Sequence, residues 1–459
     1  MNKKKIIISS LIVIVVCAAA GMYYHQATRF NANVKINDTK VGGLTADQAL
    51  KKLKGTVLKN TVYIGEKRIL DGKDTKMGFT QEDLSNVEKL LKKQQTFWPS
   101  SKEKNYSLVP AKEDQYRSTT MKKQVEEKLT AMNKSLKAPR DAEAHLQEGN
   151  IIVSKSKDGK KLDVSQLLKA YQKQKYNSEI HLQPKYIQPV RENSQVVKKE
   201  KEKLNELLKQ TLDYQVQDKV YTLKAGELIK NASVSKDMKY TINSSGIKER
   251  IAEINQSQST LNKNFTFKTH SGSVITVKGE SYGWAIDVDD ETKMIKKAFE
   301  SGEKSVKADN IYGIGWSTYG TGYHTTTNNG IGNTYAEVSI KEQRIWIYKN
   351  GKLTVTTPVV TGRHNTHEDT PPGVWYIMYK ETPSILEGSE VGNPNYRVKV
   401  QYWAPFTNSG CGFHDAGWRT NWASTAFLEH GSGGCVNTPL TAIKTVYNNL
   451  EKNEPVIIY

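Results

Sequence analysis

Gly412-Phe413-His414-Asp415, followed by His430-Gly431-Ser432-Gly433-Gly434-Cys435-Val436-Asn437, holds the residue types that acyl transfer requires. A thiol nucleophile needs a base within hydrogen-bond reach and donors for an oxyanion. Cys435 follows two glycines, which let backbone approach closely and aim N–H groups at one point. His414 lies 21 residues upstream, far enough to come from a neighbouring strand. Ser432, through its backbone or its hydroxyl, is expected to orient the imidazole. These are the parts of a Cys-His site. The alternative, on residues alone, is a buried free Cys beside an unrelated His.

Other reactive side chains make weaker patterns. His364-Asn365-Thr366-His367-Glu368-Asp369 clusters imidazoles and carboxylates, but it sits between Thr361-Gly362 and Thr370-Pro371-Pro372-Gly373. A polar loop beside a groove is expected there rather than a metal site. Cys411 is expected to be a free, partly buried thiol; a disulfide with Cys435 would silence the nucleophile. His25, His145, His181, His270 and His324 lack partners in sequence and are expected at the surface.

The elements around the Cys-His segment read as β. Tyr335, Glu337 and Ser339 alternate with Ala336, Val338 and Ile340. Arg344–Lys349 and Lys352–Val360 flank Asn350-Gly351, a two-residue hairpin signal. Gly373–Tyr379 and Pro455–Ile458 are further strands, and only residues 441–451 read as helix. A compact sandwich or barrel-like domain follows. Upstream, Gly42-Gly43-Leu44-Thr45 opens a helix with Thr45 as N-cap. Residues 120–136 and 195–210 are Lys/Glu-rich with apolar residues at helical spacing, such as Val197, Leu204, Leu207 and Leu208. A weak repeat is visible: Ile151-Ile152-Val153 and Val274-Ile275-Thr276-Val277 each lead through a short strand and an Asp cap into a helix. Residues 319–334 are Gly/Thr/Asn-rich, as a linker would be. The chain is therefore expected to be α+β multidomain with a mostly-β C-terminal domain. The expected divisions are 1–25, 26–125, 126–240, 241–325 and 331–459.

Length and charge agree with several domains. The 459 residues suggest about two to four. With 37 % hydrophobic and 25 % charged residues the chain is neither wholly disordered nor polytopic. Three cysteines exclude a disulfide-stapled miniprotein. The net charge is +19, yet residues 331–459 carry 11 basic and 11 acidic side chains, so the excess lies in front. Lys3, Lys4 and Lys5 precede Ile6–Tyr24, 19 residues without charge, close to the ~20 needed to span a bilayer. The lysines should stay cytoplasmic, which puts everything after Tyr24 outside a cell membrane; a cleaved signal peptide is the rival reading. No nucleic-acid motif is visible. Acidic wall polymers suit the basic front better, or its lysines serve solubility alone.

Residues 331–459 resemble the YkuD-type L,D-transpeptidase catalytic domain. That family carries a His and, farther on, Ser/Thr-His-Gly-Cys-x-Asn. His414, Ser432, Gly434, Cys435 and Asn437 match it, and Trp418 matches a frequent aromatic near the substrate groove. The family's His two residues before the nucleophile is Gly433 here; His430 is the nearby imidazole that would replace it in substrate binding. The front, with Gly42-Gly43-Leu44-Thr45 and Tyr282-Gly283-Trp284, resembles peptidoglycan-binding-like modules of Gram-positive bacteria. The resemblance implies that His414 takes the proton of Cys435 and that the thiolate attacks the third residue of a peptidoglycan stem peptide. Backbone N–H groups of Gly433, Gly434 and Cys435 would hold the oxyanion. An amine of a neighbouring stem would then resolve the thioester, forming a cross-link in cell wall biogenesis. Carbapenems would acylate Cys435. No cofactor or metal is implied. Water in place of the amine would give an L,D-carboxypeptidase; a retired site would leave a wall-binding protein.

Overall fold

The computed structural model describes residues 3–96, 98–177 and 179–459. They fall into two compact units, residues 1–143 with 154–197 and residues 144–153 with 198–459. The first begins with a helix over Lys3–Thr28. Its Ser10–Thr28 stretch is the only one among the described residues long and apolar enough to cross a membrane. After it come two small α+β cores. One gathers Val34, Ile36, Leu50, Leu53 and Val87. The other gathers Val62, Met121, Val125, Leu167 and Ile180. Thr45 caps the helix Ala46–Gly55 through a reciprocal capping box with Gln48. The lysine-rich stretches fold as the expected helices, Lys122–Asn133 and Gln195–Leu208.

In the second unit, a helix over Val288–Ser301 starts at Asp287, whose carboxylate accepts from the N–H groups of Asp289 and Asp290. The first repeat copy has the same device, Asp163 accepting from the Gln166 N–H ahead of helix Val164–Gln174. Residues 319–334 are tied down rather than loose. The Thr321 hydroxyl accepts from the Gly283 N–H at 3.0 Å, and the Tyr282 hydroxyl donates to the Gly330 carbonyl at 2.8 Å.

The C-terminal domain is mostly β. Its strands are β1 (Tyr335–Ser339), β2 (Arg344–Lys349), β3 (Lys352–Pro358), β4 (Gly373–Tyr376), β5 (Ser384–Glu390), β6 (Asn393–Val400), β7 (Trp403–Pro405), β8 (Gly412–Asp415), β9 (Val436–Thr438) and β10 (Pro455–Ile458). One sheet runs β3-β2-β1-β10-β4, with β1 and β10 parallel. At the β2–β3 turn Asn350 and Gly351 both have positive φ, 51° and 79°, as a type I′ hairpin needs. A second sheet runs β7-β8-β9, and β5–β6 is a separate hairpin. Two helices complete the domain, α1 (Phe427–His430) and α2 (Leu440–Asn449). Val338, Ile345 and Ile347 from the large sheet pack with Phe413 and Val436 from the small one and with Ile443 and Val446 of α2. That core is what fixes β8 and β9, and they carry the site.

One expected surface residue is not there. His270 donates its backbone N–H and presents Nδ1 to the fully buried Glu337 on β1, at 2.8 and 3.0 Å, and its ring stacks on Trp346 at 3.5 Å. The Tyr459 hydroxyl donates to the same carboxylate oxygen at 2.6 Å.

Candidate active site

β8 and β9 pair in parallel, with Phe413 opposite Val436 and His414 opposite Asn437. Side chains alternate along a strand, so His414 and Asn437 share a face, and Cys435, one residue before β9, follows on that face. The register thus brings thiol and imidazole to diagonal positions. Both are buried, Cys435 at 8 % exposure and His414 at 3 %. The imidazole lies between two indoles, 5.9 Å from Trp403 and 5.8 Å from Trp418 between ring centres. Trp418 is 54 % exposed and forms the outer wall. Over the thiol lies the β5–β6 hairpin, whose Leu386, Tyr396 and Val400 pack with Cys435 and Trp403.

The hydrogen bonds assign the protons of His414. Arg419, which has only donors, gives Nε and Nη2 to Asn437 Oδ1 at 3.1 and 3.0 Å. That fixes the Asn437 amide, so its Nδ2 donates to His414 Nε2 at 3.1 Å. Nε2 is therefore the unprotonated nitrogen, and Nδ1–H donates to the Asp415 carbonyl at 2.9 Å. Burial holds the imidazole below its ordinary pKa, against the pull of the Asp415 carbonyl. Burial also pushes the Cys435 thiol up to about 12, aided by the field of Cys411 and opposed by the Gly412 N–H. The thiol donates to the Gly410 carbonyl at 3.4 Å. At rest the pair is neutral thiol and neutral imidazole.

Ser432, expected to orient His414, is bonded within its own loop. Its hydroxyl donates to the Cys435 carbonyl at 2.6 Å and accepts from the Gly434 N–H at 3.2 Å. The acceptor that holds the imidazole is the Asp415 carbonyl, whose strand position already puts it there. The same Ser432 bond turns the Gly434 N–H away from an oxyanion, leaving those of Gly433 and Cys435 as candidate donors. Gly434 has φ 114°, and a Cβ there would meet Cys411 Sγ at 2.8 Å. Only glycine fits. Thr370 anchors this turn, its hydroxyl donating to the Gly434 carbonyl at 2.8 Å. His430 ends α1 with an exposed side chain, and its carbonyl accepts from Arg419 Nη1 at 2.6 Å. His364 bonds Asp369 at 2.9 Å, and Thr366 donates to Glu368 at 2.5 Å, both within the polar loop. Cys411 and Cys435 are free and buried. Arg419 is the residue that sequence reasoning missed. Its signal was its place beside Trp418, but a lone Arg in a loop reads as surface until its partner is seen.

The YkuD family model, the L,D-transpeptidase catalytic domain, matches residues 333–458. A second model, described as "Putative peptidoglycan binding domain", matches residues 80–179 and 193–307. The catalytic domain of the Enterococcus faecium L,D-transpeptidase, solved by NMR, is 35 % identical, covering 28 % of this chain and 96 % of its own, with a TM-score of 0.25. The same domain acylated by ertapenem is also 35 % identical, over 28 % and 97 %, with a TM-score of 0.26. A crystal structure of a cysteine-to-serine mutant of the E. faecium enzyme is 25 % identical over 56 % and 98 %, with a TM-score of 0.46. No curated protein matches the chain. The chain belongs to the L,D-transpeptidases: a YkuD-type catalytic domain preceded by modules of the peptidoglycan-binding type. Its chemistry is of that general class, enzymatic acyl transfer.

Proposed function

We propose that the protein cross-links peptidoglycan by joining third residues of stem peptides through a thioacyl-enzyme on Cys435. The observation that carries this reading is the β8–β9 register, which sets Cys435 and His414 on one face with the lone pair of Nε2 free of its own proton. Substrate entering the groove displaces the thiol from Gly410 and the Asn437 amide from Nε2. His414 then takes the proton of Cys435, and the thiolate attacks the carbonyl of the third stem residue. The N–H groups of Gly433 and Cys435 receive the oxyanion. The terminal D-alanine leaves with the proton from His414. An amine of a second stem attacks the thioester, restoring the thiol. Trp418 lines the groove, and Asn437 keeps Nε2 unprotonated until substrate displaces its amide.

In this reading the Lys3–Thr28 helix anchors the chain in the cell membrane, with the catalytic domain on the wall side, and the preceding modules hold peptidoglycan. Lysines of the front meet acidic wall polymers.

Intact mass of the full chain in detergent, after exposure to a carbapenem, tests the reading. One adduct is expected in the parent and in Cys411→Ala, and none in Cys435→Ala. An adduct surviving in Cys435→Ala, or none in the reduced parent, rejects the nucleophile. Incubation with muropeptides then reads cross-linked against hydrolysed product.

A further inference from the structure

Gly433 leaves a gap in the wall of the groove, two residues before the nucleophile, and a carboxylate fills it. A Cβ on Gly433 would lie 3.1 Å from Glu390 Cβ and 3.4 Å from Glu390 Oε2, with Glu368 Oε1 at 3.9 Å. The two acids are held differently. Glu368 is engaged by its own surroundings: Oε1 accepts from the Val391 N–H at 2.7 Å and Oε2 from the Thr366 hydroxyl at 2.5 Å. The first of these bonds fixes the residue after Glu390. The β5–β6 register shifts between Gly388 and Glu390, an irregularity of the kind that re-aims a side chain. Glu390 is half-buried, and its carboxylate has no hydrogen bond or ion pair to any described residue.

The groups its field reaches are Cys435, Arg419 and Tyr396. Arg419 is already committed to Asn437 Oδ1 and the His430 carbonyl. An anion beside a thiol opposes thiolate formation, so Glu390 gives nothing to acylation. What it lacks is a cation in direct contact, and the second half-reaction brings one. An alkyl amine is an ammonium at neutral pH.

We infer that Glu390 binds the ammonium group of the acyl acceptor beside Gly433 and thereby favours aminolysis of the thioester over hydrolysis. The inference rests on the transpeptidase reading above. The ammonium loses one proton to water from the bound position. The resulting amine forms an N–C bond to the acyl carbon, the C–S bond breaks, and the second amine proton passes through His414 to the Cys435 sulfur. The products are an amide and the free thiol.

The test uses the full chain in detergent, a tetrapeptide donor, and two acceptors: Nα-acetyl-L-lysinamide, which is cationic, and hydroxylamine, which is uncharged at neutral pH. In Glu390→Gln the ratio of amide to hydrolysis product with the lysinamide should fall about five- to tenfold, through a higher KM for that acceptor, as loss of one charge-assisted contact implies. Hydroxylamine trapping should not fall, carbapenem adduct formation should be no slower than in the parent, since the charge that opposes the thiolate is gone, and Glu390→Asp should recover part of the ratio. An unchanged lysinamide ratio overturns the inference. So does an equal loss with hydroxylamine, which would mean that Glu390 supports the hairpin or balances Arg419. Absence of any adduct in the parent would instead reject the nucleophile reading.

Discussion

A carboxamide has two ends, and at Asn437 Arg419 decides which one faces His414. Removing the guanidinium frees the amide to turn its oxygen toward Nε2, which would then have to carry the proton. Arg419→Gln should therefore slow carbapenem acylation about 10- to 100-fold, part of the ~10⁴-fold loss that a wrong imidazole tautomer causes in a Ser-His-Asp triad. Circular dichroism should be unchanged, ¹⁵N shifts of the His414 ring should report the tautomer change, and Arg419→Lys should restore part of the rate. A normal rate with altered shifts would separate the tautomer from catalysis. Burial also sets a pH dependence. The folded-state pKa of His414 lies below its unfolded value of ~6.5, so the unfolded chain binds more protons as acid is added. The stability present above pH ~6.5 is lost as pH falls toward the folded-state value. Thermal unfolding of the catalytic domain should shift down over that window, and His414→Gln should flatten the shift. For the thiol, whose pKa is near 12, iodoacetamide labelling should be slow at neutral pH and accelerate only in strong alkali; rapid neutral labelling would contradict the buried, uncoupled pair.

At the scale of elements, the β5–β6 hairpin roofs Cys435 with little core of its own. Tyr396→Ala should open the thiol, raising iodoacetamide labelling several-fold at a stability loss of about 1–3 kcal/mol, both readable on one preparation by mass spectrometry and thermal melts. Unchanged labelling would show that the tyrosine does not limit access. The hairpin is also where the sequence was hardest to read. Tyr396, Val398 and Val400 alternate with Arg397 and Lys399, but Gly388, Gly392 and Pro394 interrupt the rest of Ser384–Val400, so the pattern covers too few residues to mark the hairpin as a unit. β7, β8 and β9 are three or four residues long and are set by tertiary pairing rather than by local pattern. The large sheet was legible because its strands alternate and because Asn350-Gly351 forces a tight turn. Cys435, His414 and Asn437 were legible as a motif. The carbonyl that holds the imidazole was not, since any residue type supplies one, and Ser432 was the plausible side chain nearby.

Over the whole molecule, the large sheet of the C-terminal domain is joined to the preceding module through a buried acid. Glu337 accepts from the His270 N–H, presents the same oxygen to His270 Nδ1 and accepts from Tyr459. Its other oxygen, Oε2, has no partner among the described residues. A buried carboxylate stripped of such donors is strongly destabilising. His270→Ala should lower stability by about 2–4 kcal/mol, measured by denaturant unfolding of the full chain, while carbapenem acylation of the folded protein keeps its rate. Loss of acylation in folded His270→Ala would mean that the module shapes the groove as well as supporting it.

The hairpin of residues 144–153 has a consequence for how the chain is made. It belongs to the second unit, though chain on both sides of it belongs to the first. Its strand Ala144–Gln147 pairs with Ala232–Val234, which leave the ribosome long after it. Until then the hairpin has an unpaired edge, the kind of edge that recruits other chains. Early folding of the first unit alone leaves it looped out and waiting, and no single cut of the backbone separates the two units cleanly.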